Sequence, residues 1–260
     1  MGDQWLFVSD AHLTPGDTAR QGELARFLLD FPGLTHLCIN GDLFDFFFGF
    51  RSREMAGFDT ILTALGGLTA RGVTLHYVEG NHDFCLGSRF AARYGAQIHP
   101  EGTALTLGDQ QVWVEHGDRA NPEEHLEHLF RWLFRTRAAH LLAELVGPAP
   151  LQRFGRWLDR ATTGAHYTTR DTAHPCFRDY AARRIGAGYD VVILGHAHVP
   201  GDETVDRDGR RGRYLNSGDW LAHRSYITWD AAASFQLHNG GRGDKAPPPS
   251  TPPPQASERG

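Results

Sequence analysis

The sequence predicts an α/β layered protein with a site along the ends of its strands. Three observations carry that prediction. Short apolar runs that read as strands alternate with segments of helical period. Polar residues of metal-binding type stand directly after five of those runs, and glycine accompanies four of the five.

The elements follow in order. Residues 5–8 are an apolar strand ending in Ser9-Asp10-Ala11-His12. After a turn at Pro15-Gly16, Thr18 is expected to cap a helix over 19–30, with Leu24, Phe27, Leu28 and Phe31 on one face. Pro32-Gly33 ends it. Leu37-Cys38-Ile39 is a second strand, running into Asn40-Gly41-Asp42. A second helix is expected over about 53–70, stopped by Arg71-Gly72. A third strand, 73–78, opens on Gly80-Asn81-His82-Asp83-Phe84, and 88–94 reads as a short helix. Alternation then predicts a hairpin, 103–107 and 111–115, with its turn at Gly108-Asp109 and His116-Gly117-Asp118 after the second arm. From 119 to 184 the pattern is helical, divided by Pro148 and Pro150. Strand 190–194 ends in Gly195-His196-Ala197-His198, and two β pairs complete the fold: 203–206 with 211–217, then 225–229 with 234–238.

Composition narrows the function. The chain has 260 residues, 40% of them hydrophobic, which suffices for one domain carrying an insertion. A net charge of −5 excludes a polycation that holds nucleic acid, so no nucleic-acid partner is expected. Three cysteines without a C-x-x-C fit a reducing compartment and no disulfide framework. No basic, long-apolar leader precedes Trp5, and no run is long enough to span a bilayer, so a cytoplasmic location is expected. The organisation read from the pattern is a core of 1–118 and 185–239, a helical insertion of 119–184, and a tail of 240–260. Six of the fourteen prolines lie in that tail, which reads as disordered with polyproline character. A polyproline-binding partner is the alternative; no obligate protein partner is inferred.

The chemistry lies in the five strand-end motifs. Asp10, His12, Asp42, Asn81, His116, His196 and His198 supply oxygen and imidazole but no thiolate, a set suited to Mn²⁺, Fe²⁺ or Zn²⁺. Seven ligands exceed the needs of one open catalytic ion and suit two ions sharing a carboxylate. Such a pair generates a nucleophilic water near neutral pH and holds the oxygens of a phosphoryl group.

In this order the motifs resemble the calcineurin-like metallophosphoesterases, whose signature is D-x-H, GD, GNH[DE], H and GHxH. The resemblance covers about residues 5–230. It implies a four-layer α-β-β-α sandwich with a dinuclear site at its edge and a helical cap insertion. Carried over residue by residue, Asp10, His12, Asp42 and His198 would hold one ion. Asp42, Asn81, His116 and His196 would hold the other, with Asp42 bridging. His82 would contact the scissile phosphate and protonate or polarise the leaving oxygen, and Asp83 would orient His82.

Gly41-Asp42-Leu43-Phe44-Asp45, Asn81-His82-Asp83-Phe84 and Gly218-Asp219-Trp220 further resemble the UDP-2,3-diacylglucosamine pyrophosphatases of lipid A biosynthesis. That implies release of lipid X and UMP, manganese as the metal, and peripheral contact with the cytoplasmic face of the inner membrane. The insertion holds eleven Arg against seven acidic residues, with aromatic and aliphatic side chains such as Phe130, Trp132, Phe134, Leu145 and Trp157. These either pack its helices or line an acyl-chain groove with an arginine rim. Arg160, His166 and Arg170 are candidate substrate contacts. His82 departs from the well-known branch, which has Arg there; a phosphodiesterase or phosphatase acting on another nucleotide-linked, phospholipid or soluble substrate is the alternative, and a metal-dependent scaffold without catalysis a further one.

Overall fold

The structure is a computed structural model. It describes residues 2–122 and 125–240, with the side chains of 125–128, 130 and 156–174 outside that description. Arg160, His166, Arg170, Phe130, Trp157 and the tail beyond 240 therefore lie outside what is described. In chain order the elements are β1 (Gln4–Val8), α1 (Thr18–Asp30), β2 (His36–Asn40), β3 (Phe47–Phe48), α2 (Asp59–Ala70), β4 (Thr74–Val78), β5 (Asp83–Phe84), α3 (Gly87–Tyr94), β6 (Ala96–His99), β7 (Thr103–Leu107) and β8 (Gln110–Val114). Three helices follow, α4 (His125–Phe134), α5 (Arg137–Val146) and α6 (Pro148–Gly186). The chain returns to strands with β9 (Val191–Leu194), β10 (Pro200–Arg207), β11 (Arg210–Ser217), β12 (Ser225–Asp230) and β13 (Ser234–Asn239).

Two sheets form the centre. One has the order β13-β12-β1-β2-β4-β6, the other β10-β11-β9-β8-β7. Strands β1, β2, β4 and β6 are mutually parallel, as are β8, β9 and β11, while β12, β13, β7 and β10 pair antiparallel. Alternation along each strand decides what lies between the layers. Trp5, Phe7, Cys38, Val78 and Ile227 of the first sheet share one buried cluster with Val112, Val114, Val191, Ile193 and Leu215 of the second. The opposite faces of the same strands, Leu6, Val8, Leu37, Ile39, Leu75 and Tyr77, pack under α1, α2 and α3. On the outer side of the second sheet, Phe177, Ala181, Ala182 and Ile185 of α6 cover Val192, Leu194 and Tyr214. The stacking is therefore helix, sheet, sheet, helix. Each fully buried Leu, Ile or Phe in these layers contributes roughly 1.5–3 kcal/mol over its exposed state.

Several expectations shift in detail. Asp17, not Thr18, caps α1, its carboxylate accepting the Arg20 N–H at 3.1 Å; aspartate is the stronger acceptor one position earlier. Helix α2 begins only at Asp59 because the preceding residues are taken by other contacts: Met55 Sδ accepts the Phe48 N–H, and Phe58 packs edge-on against Phe44. Pro148 and Pro150 do divide the helical stretch, since α5 ends at Val146 and both prolines sit in the first turn of α6, where a helix has no use for a proline N–H. The insertion also merges with the core: from Phe177 onward α6 belongs to the packing of the second sheet.

Candidate metal centre

Parallel strands end at a common edge, and both sheets present the carboxyl ends of their parallel strands there. Asp10 and His12 follow β1, Asp42 follows β2, Asn81 and His82 follow β4, His116 follows β8, and His196 and His198 follow β9. The loops are stitched to one another. The Asp10 N–H donates to Gly41 O at 3.1 Å, His12 N–H to Asp42 O at 3.0 Å, and Gly195 N–H to His116 O at 2.8 Å. The two sheets meet where the His196 N–H donates to Asp10 Oδ2 at 2.9 Å, across 186 positions of sequence.

This crowding imposes an unusual backbone. Asp10, His12, Asp42, His196 and His198 have φ of 51°, 41°, 52°, 62° and 57°. Left-handed φ costs an L-residue roughly 1–2 kcal/mol, and Asp and His tolerate it better than most. Five strained residues converging on one spot mark a functional site. The glycines have a concrete reason too. A Cβ on Gly80 would stand 2.1 Å from Asp42 Oδ1, and one on Gly41 would stand 2.3 Å from His116 Nδ1.

The side chains fall into two sets. Asp10, His12 and His198 form one: His198 Nε2 lies 3.1 Å from Asp10 Oδ1, and His12 Nε2 lies 3.2 Å from His198 Nε2. Asp42, His116 and His196 form the other: His116 Nε2 lies 3.2 Å from both Asp42 Oδ2 and His196 Nδ1, and 3.1 Å from Asn81 Oδ1. Asp42 Oδ2 also lies 3.8 Å from His12 Nε2, which places it between the sets. His12, Asp42 and His82 form a third close group.

These residues fit divalent ions. Ring nitrogens converge on ring nitrogens and carboxylates, without sulfur. Asp10 Oδ1 is buried with a ring nitrogen of His198 3.1 Å away but no donor aligned with it, a state that a cation relieves. Burial alone would lower the pKa of His116, yet Asp42, Asp10 and Asp118 around it raise it well above the usual imidazole value. Burial and the neighbouring His82 hold His12 well below that value. Burial would raise Asp42, and His116, His82 and His12 instead bring it well below the usual carboxylate range. The site is thus built of opposed charges held close together.

Partners behind the ligands fix their aim. His116 Nδ1 lies 2.9 Å from Asn40 O, and His82 Nδ1 lies 2.6 Å from Asp45 O. Asp83 also has a role beyond the one expected from its place beside His82. Its carboxylate accepts N–H groups from Asp42 at 3.1 Å, Leu43 at 2.7 Å, Phe44 at 3.4 Å and Gly80 at 3.0 Å, and the Tyr77 hydroxyl at 2.6 Å. It therefore braces the backbone of two loops, while the carbonyl of Asp45 orients His82. Burial and the nearby Asp42 push Asp83 up to about 7, against the donors that favour its ionised form. Asp219, a motif residue without an expected role, accepts from the N–H groups of Ala222 at 2.6 Å and His223 at 3.0 Å, and lies 3.8 Å from His198 Nδ1.

Beside the centre, α4 and α5 expose apolar side chains: Trp132 at 66%, Leu141 at 63% and Leu145 at 81%. Phe134 turns inward, stacked on Phe84 at 5.7 Å. No helix among the described residues is long and apolar enough to cross a membrane.

Adjacent groups of Asp and His side chains that could hold metal ions, at the edge of two stacked sheets, suit a metal-dependent phosphoesterase. The chain belongs to the calcineurin-like phosphoesterase family, whose model matches residues 5–200, and it is a hydrolase acting on phosphoester bonds. It is 29% identical over 242 residues to a UDP-2,3-diacylglucosamine hydrolase of Xanthomonas campestris pv. campestris, covering 87% of this chain and 95% of that protein. Proteins of the same name from Stenotrophomonas maltophilia and Aeromonas salmonicida are 29% and 28% identical, covering 87% and 85% of this chain and 94% and 88% of theirs. Among solved structures, a phosphoesterase from E. coli aligns with a TM-score of 0.42 and 17% identity over 88% of each chain.

Proposed function

We propose that the protein hydrolyses the pyrophosphate of UDP-2,3-diacylglucosamine. Water adds to the phosphorus nearer the nucleoside, the bond from that phosphorus to the bridging oxygen breaks, and UMP and the diacylated sugar 1-phosphate (lipid X) leave. The observation that carries the reaction class is the position of Asp42 Oδ2 between the two ligand sets. The substrate rests on the relatives named above, aligned over nearly the whole folded chain.

Asp10, His12, Asp42 and His198 would hold one divalent ion, and Asp42, Asn81, His116 and His196 the other, with Mn²⁺ preferred and Fe²⁺ or Zn²⁺ admissible. Two such ions supply a nucleophilic water near neutral pH and neutralise charge on the phosphoryl group. His82 donates through Nδ1 to the Asp45 carbonyl, and Nε2 is the atom that would act on the phosphoryl or leaving oxygen. Asp83 keeps the Asp42 and Gly80 loops in register, so that the bridging carboxylate stays where both sets meet. The exposed face of Trp132, Leu141 and Leu145 supports an acyl-chain site and peripheral contact with the inner membrane from the cytoplasm.

A second reading, hydrolysis of a soluble phosphoester, is favoured by His82 in place of the arginine of the lipid-specific branch. One experiment separates them: purified protein with Mn²⁺ is given UDP-2,3-diacylglucosamine and, in parallel, a soluble phosphodiester. Release of UMP from the first is expected. No UMP with rapid turnover of the second would move the assignment to the soluble substrate.

A further inference from the structure

Two arginines at the end of the first insertion helix tie it to the loops that carry Asn81 and His116. Arg131 lies in the last turn of α4, and Arg135 follows the helix directly, its N–H donating to Arg131 O at 3.3 Å, so the two stand one helical turn apart. They are 10% and 18% exposed. Arg135 Nη1 lies 2.9 Å from Glu79 Oε2 and donates to Pro100 O at 3.2 Å, while its Nη2 donates to Gly80 O at 3.4 Å. Arg131 pairs with the Asp118 carboxylate through Nη1 and donates through Nη2 to Pro100 O at 3.0 Å.

The acidic partners are placed tellingly. Glu79 directly precedes Gly80-Asn81-His82, and Asp118 closes His116-Gly117-Asp118. Both carboxylates are 3% exposed. Glu79 also accepts the Leu86 N–H at 2.8 Å, closing residues 79–86 into a loop at its base. Each arginine thus grips the loop that carries one ligand of the second set. Carboxylates this deep must be paired, and a planar guanidinium satisfies a carboxylate and a carbonyl together. Without its arginine, either carboxylate would pull its loop toward water and take Asn81 or His116 with it. The same helix turns Leu129, Trp132 and Leu133 outward, 53%, 66% and 44% exposed, so the docking that presents this apolar face is the docking that holds the two loops.

We propose that Arg131 and Arg135 are positioning residues that make docking of α4 a condition for metal binding at Asp42, Asn81, His116 and His196. The proposal rests on the two-ion reading above. It is tested by titrating Mn²⁺ into metal-free full-length protein by calorimetry, in wild type, Arg131→Met and Arg135→Met. Wild type is expected to bind two ions. Each variant should keep one site at wild-type affinity and lose ~10–100-fold at the other, the usual scale for residues that orient metal ligands. A purely structural defect would weaken both sites together. If Arg135→Met does not fold, Arg135→Met with Glu79→Gln, which buries no unpaired charge, carries the same test. Unchanged affinity at both sites, or equal weakening of both, overturns the proposal. Fewer than two ions on wild type overturns the reading beneath it.

Discussion

The Tyr77 hydroxyl donates to the Asp83 carboxylate across 2.6 Å, with both side chains fully buried. The bond ties the end of β4 to the start of β5. Tyr77→Phe leaves Asp83 with its four backbone donors and should destabilise the fold by about 1.5–3 kcal/mol, the range for a hydrogen bond to a charged group. Asp83→Asn turns an amide toward several N–H donors and should cost more, with weaker metal binding as well. Urea melts of both variants check the order, which a milder effect of Asp83→Asn would reverse.

Asp42 is the residue on which both ligand sets depend, its Oδ2 lying 3.2 Å from His116 and 3.8 Å from His12. Asp42→Ala should abolish turnover and reduce metal content at both sites. Activity retained in a metal-replete assay would refute the shared-carboxylate arrangement.

His82 belongs to the third close group, but its Nδ1 is engaged by the carbonyl of Asp45. His82→Ala should lower kcat by ~10²–10⁴, the scale for losing a general acid, with two ions still bound. Metal analysis run beside steady-state kinetics decides it. A kcat equal to wild type removes His82 from the chemical step.

Away from the centre, His76 lies between the sheets, stacked on Trp5 at 5.2 Å, with Nδ1 3.2 Å from His99 Nε2. Burial, then His99 and His36, push its pKa down to about 4 from 6.5. The unfolded chain therefore takes up a proton near pH 6.5 that the folded chain refuses until about pH 4. This contribution to stability is full above pH 6.5 and is lost as pH falls through that window. His76→Phe should flatten the decline in stability measured by urea melts at pH 7, 5.5 and 4.5. Identical slopes in variant and wild type would assign the acid sensitivity elsewhere.

The long parallel strands were legible because each is an apolar run closed by polar residues, as in Leu37-Cys38-Ile39 before Asn40-Gly41-Asp42. The candidate metal-binding side chains that the structure brings together were legible because their types stand directly at those ends. What the sequence hides is the second partner of each backbone group. Strands β3 and β5, two residues each, form only because Phe47 and Phe48 pair with Asp83 and Phe84. Asp83 reads as a neighbour of His82, yet its carboxylate turns back to Asp42 and Leu43, some forty positions earlier. Arg131 and Arg135 look like two of many insertion arginines until Glu79 and Asp118 are found opposite them. The side chains of Arg160, His166 and Arg170 lie outside the described residues.

The bond from the His196 N–H to Asp10 Oδ2 has a consequence for synthesis. Each ligand set draws on residues from distant parts of the chain: Asp10 and His12 with His198, Asp42 with His116 and His196. A nascent chain still lacking β9 and the loop after it can complete neither. Contacts this distant in sequence form late. Binding of the proposed ions would therefore follow synthesis of β9 and its loop, and a translation product stopped within α6 would carry most of the motifs but neither completed set.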